Sequence, residues 1–385
     1  MREIINFLKA LSVFLGTVIG AGIFGLPFVA LKAGFFIVVC YFLFITFFAI
    51  LIHLLYGEVS LKTKKLYRLP GYVGEYLGEK WKKITFFIIV IGLVGALLAY
   101  LIIGGQFLNS LFSPYFGDNF TLYTFLFFLS GAYLVFRGIK NISGVEFSLL
   151  VALFVILVIF LIKASPVINI DYFKTVNLKF LTLPYGVILF AFWGSALVPE
   201  IKEMFAASGT KELKEVRANL RKVIIWGIVL AAVIYLLFVF IVLGVSGSGT
   251  SKEAISGFAK VIGGNIIKLG FVFGVITCFT SFIALALTLK KVFWYDFGLS
   301  KNLAWFLTCF LPLILFLLGL REFIEIIGFT GAVALGGEGI IIVFLYRGFL
   351  KKKFSQKMNP IFYSLVGVFV LGIISETIYF FFGRV

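Results

Sequence analysis

Long apolar runs separated by short polar segments make up almost the whole chain. Most runs have about 20 residues or more, the length that a helix needs to cross a bilayer. Short strands of alternating polarity, which would indicate an outer-membrane barrel, are absent from the pattern. The sequence therefore predicts an all-α polytopic membrane protein, one domain over residues 1–385, with eleven spans. We place these spans at about 7–31, 34–60, 84–111, 121–138, 144–163, 183–205, 220–245, 265–291, 300–319, 321–347 and 361–383.

Glycine and proline interrupt the first run at residues 16–27, GTVIGAGIFGLP. Glycine costs about 1 kcal/mol and proline about 3 kcal/mol in a helix interior. In lipid, such a break persists only where the freed backbone groups face protein, water or a ligand. We therefore expect span 1 to be discontinuous and to offer amides and carbonyls to a solute. Another interpretation is close helix packing, because Gly16 and Gly20 form a GxxxG motif.

Residues 20–25 also fit the GxGxxG motif of dinucleotide-binding proteins. That motif functions after a β-strand in a soluble βαβ unit, and neither feature precedes residue 20. Nucleotide binding is therefore not expected.

A second interruption lies in span 6, at residues 190–200, FAFWGSALVPE. Five spans separate the two breaks, so spans 1–5 and 6–10 begin on opposite sides of the membrane. This arrangement predicts two inverted repeats, about 7–163 and 183–347, with an extra helix at 361–383. Paired breaks at similar depth are typical of secondary transporters, which bind substrate between them.

The net charge of +17 arises mainly from loops on one side of the membrane. The positive-inside rule makes that side cytoplasmic, which predicts a cytoplasmic N-terminus and an extracellular C-terminus in the cell membrane. Orientation and attraction to anionic lipid explain the excess, so no nucleic-acid partner is expected. The composition agrees, since 62% of residues are hydrophobic and 13% are charged. Soluble domains are nearer half apolar and a quarter charged.

Two connecting segments have helical patterns of their own. Residues 202–222 alternate Lys or Arg with Glu, which predicts a solvated helix. Residues 246–264 begin with Gly and Ser and continue as a short amphipathic helix, either a lid or a plain connector.

Both interrupted segments resemble known transporters. Residues 16–27 are similar to the helix-1 signature of the amino-acid/auxin permease family and its aromatic and hydroxy amino-acid permease relatives, within the amino acid–polyamine–organocation superfamily. Residues 190–194 with Pro199 and Glu200 resemble the family's helix-6 motif, and YGE at 56–58 followed by LPGY at 69–72 resembles the end of helix 2 and the loop after it. The resemblance implies a LeuT-like 5+5 inverted repeat with discontinuous helices 1 and 6, an eleventh helix, and secondary amino-acid transport.

An amino-acid zwitterion needs hydrogen-bond donors for its carboxylate and acceptors for its ammonium group. A broken helix offers free amides at one half-helix end and free carbonyls at the other. In agreement with the family motif, we expect the amides of Ala21, Gly22 and Ile23 to hold the carboxylate. The carbonyls expected to face the ammonium group are those of Val18, Ile19, Ala191 and Phe192.

Side chains near the breaks complete the expected substrate site. Tyr100 is a lone hydroxyl in the middle of span 3 that needs a partner, and the resemblance implies that it closes on the carboxylate; otherwise it is a core tyrosine. Phe192 and Trp193 are candidates to line the side-chain pocket, Trp193 being the better one because the chain has 50 Phe residues. Ser195 completes the set. No charged side chain lies beside the break to select a charged substrate, which favours neutral, large apolar or aromatic amino acids.

Span 8 and the break in span 1 contain a candidate site for the coupling cation. Thr277, Thr280 and Ser281 share one face of span 8, and this face resembles half of the sodium site of sodium-coupled relatives, with the carbonyls of Gly16 and Ile19 as the other half. Alternatively, these hydroxyls bond their own helix. Some proton-coupled relatives place a lysine of helix 5 at this site. The only lysine of span 5 here is Lys163, at the outer end, which disfavours that mechanism. No resident cofactor is expected beyond Na⁺ or H⁺ as the coupling ion.

Four other ionisable residues have expected roles. Glu338 lies within span 10, and an ionisable group at that depth is a candidate for coupling or gating; a structural contact is the alternative. Glu58 and Glu200 lie near the cytoplasmic ends of spans 2 and 6, where ion pairs with loop Lys or Arg would form an inner gate. His53 is the single histidine, more often a packing residue than a proton relay.

Other function classes lack candidates in this sequence. An intramembrane enzyme would need a metal motif or paired mid-membrane aspartates, so we expect no enzyme. A channel would show a pore-lining ring or filter. An exchanger or a sensor on the same fold stays open, and we expect a monomer.

Overall fold

The computed structural model describes residues 2–65, 67–138, 143–207, 212–263 and 265–382. Residue 383, the predicted end of span 11, lies outside these ranges. The described chain is almost entirely helical. Its α-helices are α1 Arg2–Val18, α2 Gly22–Ala33, α3 Phe35–Lys62, α4 Leu69–Leu77, α5 Glu79–Phe116, α6 Phe120–Arg137, α7 Ser143–Ala164, α8 Leu183–Phe192, α9 Val198–Ala207, α10 Leu213–Ser246, α11 Ile255–Ile262, α12 Asn265–Lys291, α13 Lys301–Leu317, α14 Phe323–Phe329, α15 Gly336–Phe354 and α16 Phe362–Phe382.

Each predicted span has a helical counterpart in the described residues. Nine helical segments are long and apolar enough to cross a membrane, and the bent pair α1 and α2 makes a tenth. The remaining span, 300–319, corresponds to α13, which has 17 residues and is at the short end of what crosses a bilayer. We call the face that carries segment 61–83 the inner face, since it is the side predicted to be cytoplasmic.

Local sequence signals explain where several helices begin and end. The Asn119 side chain accepts a hydrogen bond from the Leu122 amide and caps the start of α6. Gly138 ends that helix in the left-handed conformation, with φ at 72°. Pro70 lies in the first turn of α4, where its missing amide hydrogen leaves no hydrogen bond unmade.

Of the two connecting segments with helical patterns, one differs from expectation and the other agrees with it. The described parts of 202–222 belong to α9, which reaches Ala207, and to α10, which begins at Leu213 and continues through the bilayer, while residues 208–211 lie outside the described ranges. The charged helical pattern runs directly into an apolar run without a stop signal, so one long helix forms. The amphipathic helix expected within 246–264 is α11, and its Phe258 packs against Phe160 of span 5 at 4.9 Å between ring centroids.

The two interrupted spans lie at the centre of the bundle. All ten residues of α8 are buried, and so are most residues of α2. By contrast, α3 and α16 present exposed apolar side chains such as Leu43 and Leu371 on the outside, as expected of helices that face lipid. The breaks are therefore enclosed by protein, where backbone polar groups can find partners.

Candidate functional site

Span 1 is broken between Val18 and Gly22, and its two halves are bent by 51°. The Ile19 amide still donates to the Leu15 carbonyl at 2.7 Å, but the Gly20 amide folds back onto the Val18 carbonyl at 2.9 Å. The first amides of a helix have no partner within it. Here the Gly22 and Ile23 amides donate to no acceptor among the described residues. The start of α2 therefore offers two free donors.

Span 6 is broken directly after Phe192. Trp193 is extended, with φ at −85° and ψ at 114°, and a 3₁₀ turn at Ser195–Leu197 leads into α9. The break is opposite the break of span 1, since a Cβ on Gly22 would lie 2.8 Å from the Ala191 Cα atom. Similarly, a Cβ on Gly194 would lie 2.7 Å from the Val18 side chain. Glycine at both positions allows the two breaks to touch.

His53 from span 2 supports the break in span 6. Its Nδ1 atom lies 2.6 Å from the Ala49 carbonyl, and its Nε2 atom accepts a hydrogen bond from the Gly194 amide at 3.0 Å. These two contacts require the neutral tautomer with the proton on Nδ1. The ring is fully buried and both nitrogens have partners, in agreement with the packing interpretation. The sequence reasoning did not foresee that this packing supports the backbone of span 6.

Glu338 from span 10 contacts the same break through two side chains. Its carboxylate accepts a hydrogen bond from Trp193 Nε1 at 3.0 Å and another from the Ser195 hydroxyl. The residue is only 7% exposed and follows a π-helical segment at Thr330–Leu335. The three residues, expected separately as substrate-binding and coupling groups, therefore form one hydrogen-bonded cluster.

Tyr235 from span 7 joins the two breaks and was not anticipated from the sequence. Its hydroxyl lies 2.7 Å from the Val18 carbonyl and 2.8 Å from the Ala191 carbonyl. A phenol has one proton, so it donates to one of these carbonyls at a time. Two of the four carbonyls expected to face the ammonium group thus already contact a hydroxyl. The signal was available, since Tyr235 is a mid-span tyrosine like Tyr100.

Tyr100 lies against the break in span 1. Its hydroxyl occupies the space that a Cβ on Gly20 would need. It interacts with the Ala21 backbone and with the Ser281 side chain. The side chain is 3% exposed, and it connects the break to span 8.

One cavity connects the breaks to the inner face. Six predicted residues line it: Val18, Gly22, Tyr100, Trp193, Ser195 and Glu338. From there it passes apolar walls and reaches Arg68 in segment 61–83. Toward the opposite face, Phe24 packs edge-on against Phe107 at 4.7 Å and Phe238 at 6.2 Å between centroids, which closes the path.

The other predicted substrate residues have different surroundings. Of the described residues lining the cavity, none is Ile19, Ala21, Ile23, Ala191 or Phe192. Phe192 is fully buried and packs edge-on against Phe42 and Tyr235, each at 5.4 Å between centroids. Its ring therefore belongs to the packing behind the break and does not face the cavity.

Ion pairs lie around the inner end of the cavity. Arg68 pairs with Glu200 at 3.2 Å and with Glu203 at 2.9 Å, and Lys291 approaches Glu200 at 3.5 Å. These contacts join segment 61–83 to spans 6 and 8. Partly exposed pairs contribute only about 0–1 kcal/mol each, so such a connection can break and re-form.

Glu58 makes a second group of ion pairs on the inner face. Its carboxylate contacts Arg217 at 2.5 Å and Lys62 at 3.8 Å. These pairs join span 2 to the start of span 7.

A smaller cavity adjoins the other side of the break in span 1. Gly16, Ile19, Thr277 and Thr280 line it together with apolar side chains of spans 5 and 8. The Ser281 hydroxyl lies 3.5 Å from the Gly16 carbonyl. All five residues predicted for a sodium site are thus close together.

The hydroxyls of this group differ in their partners. Thr280 donates to the Thr277 carbonyl at 3.1 Å, as the alternative interpretation expected. The buried Thr277 hydroxyl has no hydrogen-bond partner in the described part of the chain. Among all described residues there is no group of three or more His, Cys, Asp or Glu side chains able to hold a metal. Carbonyl and hydroxyl oxygens are therefore the donors on offer, and they suit a hard cation.

Comparison with solved structures identifies the fold. Mhp1, a nucleobase-cation-symport-1 family transporter, matches in a closed conformation with bound bromovinylhydantoin (TM-score 0.67, 13% identity, 97% of this chain and 91% of that one). The inward-facing conformation of Mhp1 gives a TM-score of 0.69 at 12% identity over 97% and 89% of the two chains. MhsT in complex with L-phenylalanine gives 0.65 at 17% identity over 98% of both. The fold is that of the LeuT-type transporters.

Sequence comparison supplies the family. No curated protein matches this sequence. The sequence profile described as the tryptophan/tyrosine permease family matches residues 4–377, nearly the whole chain. The protein is thus a multi-pass membrane protein with the fold and the sequence features of a permease, and it belongs to the tryptophan/tyrosine permease family.

Proposed function

We propose that this protein is a secondary transporter that binds an aromatic or large apolar amino acid between the breaks of spans 1 and 6. The observation that carries the proposal is that residues of both breaks line one cavity, with the free amide of Gly22 at its wall and that of Ile23 next in the chain. Main-chain dipoles at such half-helix ends recognise the charged groups that every amino acid carries.

The carboxylate of the substrate binds the amides of Gly22 and Ile23 in this proposal. The Ala21 amide is a weaker candidate than expected, because Tyr100 already interacts with the Ala21 backbone. The Tyr100 hydroxyl therefore lies where it can donate to a bound carboxylate once it turns from that backbone. A free amide and a neutral hydroxyl together hold a carboxylate without a buried positive charge.

The ammonium group binds beside the Val18 and Ala191 carbonyls. Tyr235 occupies one lone pair of each carbonyl at most, and every carbonyl oxygen has two. The ammonium group therefore shares these acceptors with the phenol.

The substrate side chain extends into the apolar part of the cavity. The walls there include Ile89, Leu93, Leu285 and Leu335, with the Trp193 ring at one end. Such a surface rewards burial of an apolar side chain by about 25 cal/mol per Å². The family description and the phenylalanine bound to MhsT support an aromatic substrate.

Two groups can carry the coupling ion, and they predict different cations. Sodium binds the oxygens of Gly16, Ile19 and Thr277 in the smaller cavity, with the Ser281 hydroxyl beside the Gly16 carbonyl. The Thr277 hydroxyl, which has no partner among the described residues, supports this site. A proton binds Glu338, whose contacts to Trp193 and Ser195 would change on protonation. We favour sodium, because the buried Thr277 hydroxyl has no described partner, whereas both Glu338 oxygens already accept hydrogen bonds.

Alternating access follows from the two closures. The aromatic contacts of Phe24 separate to open the outer path, and the ion pairs of Arg68 separate to open the inner one. A substrate held between the breaks is then released on the side that opens.

Counterflow in proteoliposomes tests the proposal. Vesicles preloaded with a mixed amino-acid panel should accumulate labelled tryptophan, tyrosine or phenylalanine saturably, and sodium should raise the rate. Failure of every amino acid on the panel to exchange would contradict the proposal. If labelled amino acid exchanges but an imposed cation gradient drives no accumulation, the protein is an exchanger. If amino acid binds but neither exchanges nor accumulates, the protein is a sensor.

A further inference from the structure

A groove on the inner face lies outside the proposed transport path. It is formed where α3, α10 and α15 meet, and its lining combines apolar and basic side chains. The apolar residues include Leu54, Leu55 and Leu350, and the basic residues are Lys62, Arg217 and Arg221. Nothing in the proposed transport cycle uses this combination.

The groove has more positive than negative charge. Glu58 is the one carboxylate among its lining residues, and it contacts both Arg217 and Lys62. Arg221 follows Arg217 by one helical turn and so lies on the same face of α10. Arg221 forms no ion pair with any residue that the structure describes, and its side chain is exposed. The groove therefore presents one unpaired guanidinium beside two cations that share a single carboxylate.

We propose that this groove binds an anionic phospholipid of the inner leaflet. The headgroup phosphate binds Arg221, whose planar fork of donors matches phosphate oxygens, and an acyl chain lies against Leu54 and Leu350. Basic pockets between spans at the cytoplasmic side are where acidic headgroups bind membrane proteins. The apolar wall selects a lipid over a free anion, because a soluble phosphate would leave that wall uncovered.

Glu58 competes with the headgroup for two of the cations. When the phosphate approaches Arg217 and Lys62, it must share them with the Glu58 carboxylate, which is 2.5 Å from Arg217. Removing that carboxylate charge should therefore strengthen lipid binding. Loss of a basic residue should instead weaken lipid binding, so the two kinds of substitution change the affinity in opposite directions.

Native mass spectrometry of the full chain in detergent tests the site. Phosphatidylglycerol and phosphatidylcholine with identical acyl chains are titrated against wild type, R221Q, E58Q and K222Q. Lys222 is the matched control, because it is the next residue, is exposed, carries the same charge and does not line the groove. Each basic contact near the surface is worth about a fivefold change in affinity.

The proposal expects one phosphatidylglycerol retained per protein, with affinity about fivefold weaker in R221Q, tighter in E58Q and changed by less than about twofold in K222Q. Equal losses in R221Q and K222Q would overturn it in favour of a diffuse surface charge. Equal retention of phosphatidylcholine, or displacement of the lipid by inorganic phosphate, would also overturn it. If R221Q does not fold, E58Q and Lys62→Gln replace it: phosphatidylglycerol should bind more tightly to E58Q and more weakly to Lys62→Gln.

Discussion

The breaks in spans 1 and 6 lie opposite each other but are held open in different ways. In span 1 the break is Ile19, Gly20 and Ala21, and the amides of Gly22 and Ile23 have no described acceptor. In span 6 the break is supported by side chains from two other spans, since His53 holds the Gly194 amide and Glu338 holds Trp193 and Ser195. The span 1 break is contacted by the Tyr100 and Tyr235 hydroxyls but keeps two free amides for a ligand, whereas the span 6 break is held by ionisable groups.

This difference assigns different tasks to the two breaks. Free backbone amides bind a carboxylate without a change of protonation, so the span 1 break suits recognition of any amino acid. A carboxyl group that accepts two hydrogen bonds becomes a donor when it is protonated, so the span 6 break suits coupling to a change of conformation. Four substitutions test this division.

The largest expected effect is at Gly22, where the two breaks touch. A leucine there would collide with Ala191, since even a Cβ would lie 2.8 Å from the Ala191 Cα atom. We expect Gly22→Leu to insert normally and to lose uptake by about 100-fold, which is the typical effect of an ångström-scale misplacement in an organised site. Gly367→Leu is the control, because a Cβ at Gly367 meets no atom within 4 Å. Normal uptake by Gly22→Leu would refute close contact between the breaks.

The next largest effect is expected at Glu338. Trp193 and Ser195 donate to different oxygens of Glu338, and a glutamine replaces one of these acceptors with an NH2 donor. Hydrogen bonds to charged groups are worth about 1.5–3 kcal/mol. Uptake by Glu338→Gln should fall about 10- to 100-fold, whichever cation drives it. Ser195→Ala removes one donor but keeps the carboxyl group, so it should lose less. Unchanged uptake in Glu338→Gln, including proton-linked uptake, would exclude a coupling role.

Thr277 should affect only the response to sodium. Thr277→Val keeps the shape and removes an unpartnered buried hydroxyl, and we expect about tenfold more sodium for half-maximal uptake, roughly the value of one ligand. Sodium at 100 times the wild-type Kd should stabilise wild type by about 2.7 kcal/mol, seen as a higher Tm, and the variant should gain only about 1.4 kcal/mol at the same concentration. Thr308→Val removes a similar buried, unpartnered hydroxyl in span 9 and is the control. Equal sodium responses in both variants and wild type would remove Thr277 from the site.

Tyr235 should have the smallest effect. Tyr235→Phe keeps the ring packed against Phe192 but removes the hydroxyl that contacts both breaks. One neutral hydrogen bond is worth about 1 kcal/mol, so the apparent affinity for substrate should change by about fivefold. Tyr133→Phe, on the lipid-facing surface, is the control. A change no larger than that of the control would show that the hydroxyl does not organise the breaks.

The sequence predicted both breaks because glycine and proline act on the helix in which they occur. It also predicted that Thr277, Thr280 and Ser281 share one face of span 8, since helical spacing alone requires this. The supports of the breaks could not be predicted in this way. His53 and Gly194 are 141 residues apart, and Tyr235 and Val18 are 217 residues apart. Only the packing of whole spans brings such pairs together.

Phe192 illustrates the same limit in the opposite direction. Its place in the motif suggested a ring in the substrate pocket, but the turn at Trp193 points the two aromatic residues to different surroundings. The division of the chain into repeats 7–163 and 183–347 stays a prediction.

An experimental structure of the protein with bound L-tryptophan tests the central claim most directly. The account predicts density for the amino acid between the two breaks, with its carboxylate within hydrogen-bond distance of the Gly22 and Ile23 amides. Density for tryptophan elsewhere, or unbroken helices through residues 18–22 and 192–198, would contradict it.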